Sequence, residues 1–229
     1  VPVRYNFGNT GYVDKLSQTS EEFYHELATN PNHPQTSQPT PGDFRRQYQY
    51  LQSHYDSIIS IHLPHEMSGT YQSAKSASKR VNDSSITVVD GFSASVGLGL
   101  IVMRAAALVK DGRDHNEIEE SLSEIITSTD IFIVVRDLSY VVKGGRLPRW
   151  VKTIADFLHI QPIMTTKDNG SMGLASVIKE TADLPKKMSK FILGKMDAEK
   201  FYNVSIGHSN ILADGEKLKE MIQKGHHNL

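Results

Sequence analysis

Ser68-Gly69-Thr70 follows a run that breaks at Pro64 and precedes an apolar-periodic stretch through Ala74, Ala77 and Val81. Two hydroxyls and a glycine at a helix start suit an anion. The first-turn N–H groups have no intrahelical partner, the helix dipole is positive there, and glycine lets a ligand approach the backbone closely. The same residues equally suit a plain helix cap, with Ser68 as the capping side chain. Just upstream, His62, His65 and Glu66 offer imidazole and carboxylate. Their spacing matches no helical zinc motif, and Pro64 disfavours a regular helix there, so they read as loop histidines and not as a metal centre. A hydrolase built on Ser68 and His65 would need an orienting carboxylate, and none is identifiable from the sequence.

Other chemistry finds no support. A Walker pattern is absent, and so is GxGxxG after a strand, because Gly97 and Gly99 lack a third glycine and lie in a helical run. Gly91 and Ser93 are followed by Ser95 where a nucleophile elbow requires glycine. His226-His227 near the end reads as frayed surface, and Arg45-Arg46 as a solvated helix face. The 229 residues include no cysteine, which excludes disulfides and thiolate chemistry and is compatible with a reducing cytoplasm. A formal net charge of -1 recommends neither nucleic acid nor an anionic membrane as a standing partner. The strongest apolar run, Leu98 to Val109, is interrupted by Arg104 and is too short to span a bilayer.

The elements that must position these residues alternate. Thr19 with Glu22, and Thr40 with Pro41 and Asp43, signal two helix starts. Between them, residues 29–43 read as a long polar loop, of a length uncommon in a compact domain unless it works at a site; a plain surface linker is an equally open reading. Ser57–Ile61, Ile86–Val89 and Ile131–Val135 read as short buried strands. Helices are expected from Ser68, over Val96–Lys110 and over 117–126, where Ile118, Leu122, Ile125 and Ile126 share a face. Such alternation implies an α/β fold with a mainly parallel sheet. Val1-Pro2-Val3 reads as strand interior, as though the chain were cut from a longer one. After residue 150 come a helix (Val151–Leu158), a hairpin turning at Lys167–Gly170 and a helix near 183–196. A strand at Phe201–Ile206 and a helix near 214–224 complete the pattern. We expect two α/β domains, 1–126 and 127–229.

A wider set of motifs occurs in order: TSQPTPGDF (36–44), MSGTYQSA (67–74), VVD (88–90), DLSYVVKGGR running into LPRW (137–150), then IADFLHIQPIM and a turn ending in Asn169-Gly170. Weak singly and specific together, they resemble the DegV family of bacterial fatty-acid-binding proteins over nearly the whole chain. The resemblance implies a non-catalytic carrier. A long-chain fatty acid would lie between two α/β domains, with its tail in an apolar tunnel and no other cofactor or metal. It implies that Thr36 and Ser68 hold the carboxylate, with Gly69 giving close approach; Ser37 is better placed as a turn residue. It associates Arg146 with the head-group or partner region, although a plain surface turn remains open. Phe92, Val96, Leu100 and Ile101 are candidate tunnel residues, though such a stripe is more often core. A cytoplasmic fatty acid kinase catalytic subunit is the implied partner, with at most transient membrane contact. The family's first strand, with its Thr-Asp-Ser motif, and its last strand, with a histidine and a Gly-Pro-Gly turn, are not found here. Pro64-His65-Glu66 replaces a more serine-rich loop, and Gly91 stands where serine often follows the aspartate. Two other readings stay open: an enzyme (a phosphotransferase subunit or a Ser-dependent acyl hydrolase) and a plain interaction module.

Overall fold

The structure is a computed structural model that describes residues 1–81, 85–158, 160–179 and 183–229. His159, inside one of the motifs quoted above, lies outside them. The fold is α/β, and its first half is organised around two parallel strands, β4 (Ile58–His62) and β5 (Ile86–Asp90), joined by α3 (Thr70–Ser78). Alternate residues of a strand face opposite sides, so each strand feeds two layers. Ile58, Ile86 and Val88 pack against Phe44 and Tyr48 of α2 (Pro41–Gln52) and Ala74 and Ala77 of α3. Ile59, Ile61 and Val89 pack on the other side. There they meet Ile101 and Ala105 of α4 (Ser95–Lys110) and Ile118 and Leu122 of α5 (His115–Thr127).

Local sequence explains the helix starts. Thr40 accepts the Asp43 amide while Asp43 Oδ2 accepts the Thr40 amide at 2.9 Å, a reciprocal cap with Pro41 in the first turn. Thr19 and Glu22 do the same for α1 (Ser20–Thr29), and Asp114 and Glu117 for α5.

In front of this lies an antiparallel sheet of order β2-β1-β3: β1 (Arg4–Phe7), β2 (Thr10–Val13) and β3 (Gln35–Ser37). The expected loop at 29–43 therefore contains a strand, with Thr36 paired to Tyr5. Polar Gln-Thr-Ser on an exposed edge carries no apolar alternation, which hides it in the sequence. Val1-Pro2-Val3 is not strand; β1 begins at Arg4.

The second half holds an antiparallel sheet, β6 (Ile133–Val134), β7 (Ile160–Thr166) and β8 (Met172–Lys179), with helices on both faces. β6 pairs with β7 and not with β5, so Ile131–Val135 adds no third strand to the parallel pair. One face packs on α6 (Ser139–Lys143) and α7 (Arg149–Leu158), the other on α8 (Leu184–Leu193) and α9 (Leu212–Gly225). β7 and β8 form the expected hairpin, closed by Gly170 at φ +82 with its amide on Lys167 O at 2.7 Å. The strand expected at Phe201–Ile206 does not form. No described strand runs beside it to take up its hydrogen bonds, and Phe201 is exposed. His226 is not frayed either: it is buried, with Nε2 3.0 Å from Asp197 O and its ring 5.3 Å from Tyr202.

Candidate functional site

The site forms where β4 and β5 end, the place at which parallel α/β sheets bind ligands. Parallel register sets His62 beside Asp90. From β4 the chain passes through buried Pro64 into a single helical turn, in which Pro64 O accepts the amides of Met67 at 2.9 Å and Ser68 at 3.0 Å. The N-cap of α3 is Gly69, and no side chain caps it. Ser68 stands one residue too early for the capping role. Its Oγ accepts the Thr70 amide at 3.3 Å and shares a hydrogen bond with Thr70 Oγ1 at 2.8 Å.

The 35–39 segment folds onto this helix start. The Gln38 carboxamide lies against Gly69, where a β-carbon would fall 2.6 Å from Gln38 Cδ, and Gln38 Nε2 reaches Ser73 Oγ at 3.4 Å. Pro39 and Pro64, both buried, anchor the two segments. Thr36 is exposed in β3, two residues before Gln38. Thr36, Ser37, Ser68 and Gly69 are thus brought to one region, and Gln38 is the residue that joins their segments. Gln38 lies inside the TSQP motif, but the sequence gives no sign of its contact with Gly69.

The second half of the chain closes on the same place. Gly170, at the tip of the β7–β8 turn, sits against Pro64 and Phe92, where an added β-carbon would be 2.8 Å from Pro64 Cβ and 3.3 Å from Phe92 Cδ1. A β-carbon on Gly207 would lie 2.9 Å from Val96 Cγ1. The Tyr140 ring of α6 is 5.4 Å from His33, just before β3. Arg146 follows α6 in an exposed turn and donates to Gly144 O; no hydrogen bond joins it to Thr36 or Ser68 among the described residues. Of the apolar stripe, Phe92 and Val96 face the second half, Leu100 is half-buried, and fully buried Ile101 packs in the α4–α5 core. Two clefts lie elsewhere: about 260 Å³ beside Arg4, Asp43 and Arg46, and about 680 Å³ beside Tyr24, His25 and His208.

The two upstream histidines behave oppositely. His62 is a strand residue and not a loop residue. It is packed edge-on to Phe44 at 5.1 Å, with Nε2 2.7 Å from Ser60 Oγ, which accepts from Tyr48 Oη at 2.8 Å. Burial pushes it down to about 4. His65 is about half exposed, and its Nδ1 lies 2.6 Å from Asp90 Oδ2. The hydrogen bond to Asp90 holds its pKa above the ordinary histidine value. Asp90 is buried and fully engaged: Oδ2 also accepts the His65 amide at 2.9 Å, and Oδ1 the Phe92 amide at 2.9 Å. Asp90 is the orienting carboxylate that the sequence did not disclose. His65 Nε2, however, faces Glu66 Oε1 at 3.3 Å, and Ser68 is engaged by Thr70, so no hydrogen bond joins Ser68 to His65. No cluster of three His, Cys, Asp or Glu side chains able to hold a metal ion is found among the described residues. No helix among them is long and apolar enough to cross a membrane.

Comparison with known proteins places the chain in a family. A sequence model described as uncharacterised protein of the DegV family matches residues 1–229. The chain is similar to a DegV domain-containing protein of Staphylococcus aureus, 31% identical over 227 residues, covering 99% of this chain and 80% of the relative. Its fold is similar to that of a fatty-acid-binding DegV family protein from Thermus thermophilus, with TM-score 0.74 and 28% identity over 85% of this chain and 68% of the other. It is also similar to a Thermotoga maritima protein described as revealing fatty acid binding function, with TM-score 0.77 and 25% identity over 99% of this chain and 80% of the other. With a family match that spans every residue, the chain belongs to the DegV family.

Proposed function

We propose that this chain binds a long-chain fatty acid and carries it without catalysing a reaction. The observation that carries the reading is the folding of the Thr36 segment onto Ser68-Gly69 through Gln38, at the carboxyl ends of β4 and β5. That fold gathers hydroxyl donors and a helix start without a side-chain cap. In this reading Thr36 and Ser68 hold the carboxylate, and Gly69 allows it near the backbone. Arg146 serves the head-group or partner region. Residues 1–126 and 127–229 act as two domains, and the tail follows the seam between them along Phe92, Val96 and Leu100. The fatty-acid binding described for the similar Thermus thermophilus and Thermotoga maritima proteins supports it. A cytoplasmic carrier would present its cargo to a separate kinase catalytic subunit for acyl phosphate formation.

Magnitudes divide the labour. Burying a methylene contributes about 0.8 kcal/mol, so roughly fifteen give on the order of 12 kcal/mol before ordering costs. A hydrogen bond to a charged group contributes about 1.5–3 kcal/mol. The tail supplies most of the affinity, and the hydroxyls set the orientation. Solvent extraction of the purified protein followed by mass spectrometry tests the reading. Stoichiometric fatty acid, or saturable binding on addition, is expected; neither appearing would defeat it.

A further inference from the structure

His65 has two nitrogens with different fates. Nδ1 is fixed by buried Asp90 at 2.6 Å, and the same carboxylate oxygen holds the His65 amide, so the ring is oriented from below. Nε2 points away from that anchor and, among the described residues, meets an exposed carboxylate, Glu66 Oε1, at 3.3 Å. His65 and Ser68 are three apart in the single helical turn closed by Pro64 O, the spacing at which side chains on a helical turn are neighbours. The outward nitrogen therefore shares this short loop with Ser68 and is already engaged with a carboxylate.

We propose that His65, held by Asp90, is a further anion-recognising group of this site, and that Glu66 competes for it with the carboxylate of the bound fatty acid. The proposal rests on the fatty-acid reading above and names a residue that Thr36, Ser68 and Gly69 do not account for. A protonated imidazole donates a charge-assisted bond, stronger than one from a neutral hydroxyl. Asp90 favours that protonated form. The charged and titratable neighbours are few. Glu66 stands on the same loop, Asp90 at the end of β5, and His62 beside Asp90 at the end of β4. Tyr71 of α3 has its ring 6.4 Å away and carries Lys75 over its face, and Phe92 closes the side at 6.3 Å. Lys167 and Asp168 belong to the hairpin turn packed on Pro64.

The test compares palmitate with hexadecanol, on wild type, His65→Asn, Glu66→Gln and the double variant, from about pH 5.5 to about pH 9. Asparagine places an amide N–H near the position of Nδ1, which keeps the bond to Asp90 while removing Nε2 and the charge. Wild-type affinity for palmitate should fall about five- to tenfold as pH rises through the His65 titration, with hexadecanol unchanged. His65→Asn should remove that dependence and bind palmitate weakly throughout. Glu66→Gln should tighten palmitate several-fold at low pH, and should give no gain when His65 is already asparagine. A merely structural His65 would predict none of these signs. Palmitate bound equally by all four proteins, with one shared pH profile, overturns the proposal and leaves the fatty-acid reading standing. Failure of wild type to bind palmitate at any pH overturns both. If His65→Asn does not fold, an unchanged palmitate affinity in Glu66→Gln overturns the proposal by itself.

Discussion

The carboxamide of Gln38 lies against the α-carbon of Gly69 so closely that no side chain fits between them. One contact thereby couples the edge strand carrying Thr36 to the helix start carrying Ser68. Gly69 has φ -69 and ψ 6, a backbone that alanine adopts freely, so Gly69→Ala meets only the tip of a flexible side chain. We expect a stability loss of about 1 kcal/mol or less, but a fall in fatty acid affinity of about tenfold as Gln38 and its strand are pushed away. Adding Gln38→Ala should recover most of that loss. Isothermal titration of the two single variants and the double variant measures it, and strictly additive losses would refute the coupling.

How much of this was legible beforehand depends on the kind of signal. Reciprocal caps at Thr19 and Thr40 and the Lys167–Gly170 turn are local chemistry, and the structure has them as read. β3 is hidden because a polar edge strand has no apolar period, and Phe201–Ile206 reads as a strand but finds no pairing partner among the described residues. Motif order places Thr36, Gln38, Ser68 and Asp90 in the sequence, but not the contacts that Gln38 and Asp90 make, because each is long-range: Gln38 reaches over Gly69, and Asp90 bonds His65 from 25 positions away. His62 and His65 look alike in sequence, and only burial on one side and Asp90 on the other separate them.

If Thr36 and Ser68 orient the carboxylate, removing either hydroxyl should harm an acid and spare an alcohol. Thr36→Val and Ser68→Ala should each weaken palmitate about 10- to 100-fold, the equivalent of one hydrogen bond to a charged group, and hexadecanol by no more than about threefold. Parallel titrations with the two ligands decide this. Equal losses for both would mean that the two residues shape the pocket and do not bind the head group.

His62 should make the fold sensitive to mild acid. Its folded pKa of about 4 lies below the ordinary 6.5, chiefly because of burial. The unfolded chain therefore takes up a proton first as pH falls. The stability tied to neutral His62 is fully present above about pH 6.5 and is lost on descent toward about pH 4, a contribution of about 3 kcal/mol at most. His65 has the opposite sign. Its pKa is raised, so its contribution is present below about pH 6.5 and is lost as pH rises through the raised value. Urea melts of wild type and His62→Gln across this range check the assignment. The gap between them should narrow toward pH 4, and a constant gap would show that His62 does not titrate as described.

The β7–β8 turn joins the two halves through a residue that only glycine suits. Gly170 has φ +82, and a β-carbon there would fall 2.8 Å from Pro64 Cβ, on a ring that is itself buried. Gly170→Ala therefore meets backbone strain and a rigid neighbour together, unlike Gly69→Ala, which meets only a movable carboxamide. We expect a loss of about 1–3 kcal/mol in unfolding free energy. Relief has one direction: the turn must retreat from Pro64 and Phe92, which opens the seam proposed for the tail and disturbs the loop bearing His65 and Ser68. Fatty acid dissociation should therefore quicken in Gly170→Ala, read by stopped-flow transfer to a fluorescent acceptor. Asn169→Ala, in the same turn but without that contact in view, serves as the control for turn stability. If both variants release ligand at the wild-type rate while Gly170→Ala is destabilised, the turn serves folding alone and the seam lies elsewhere.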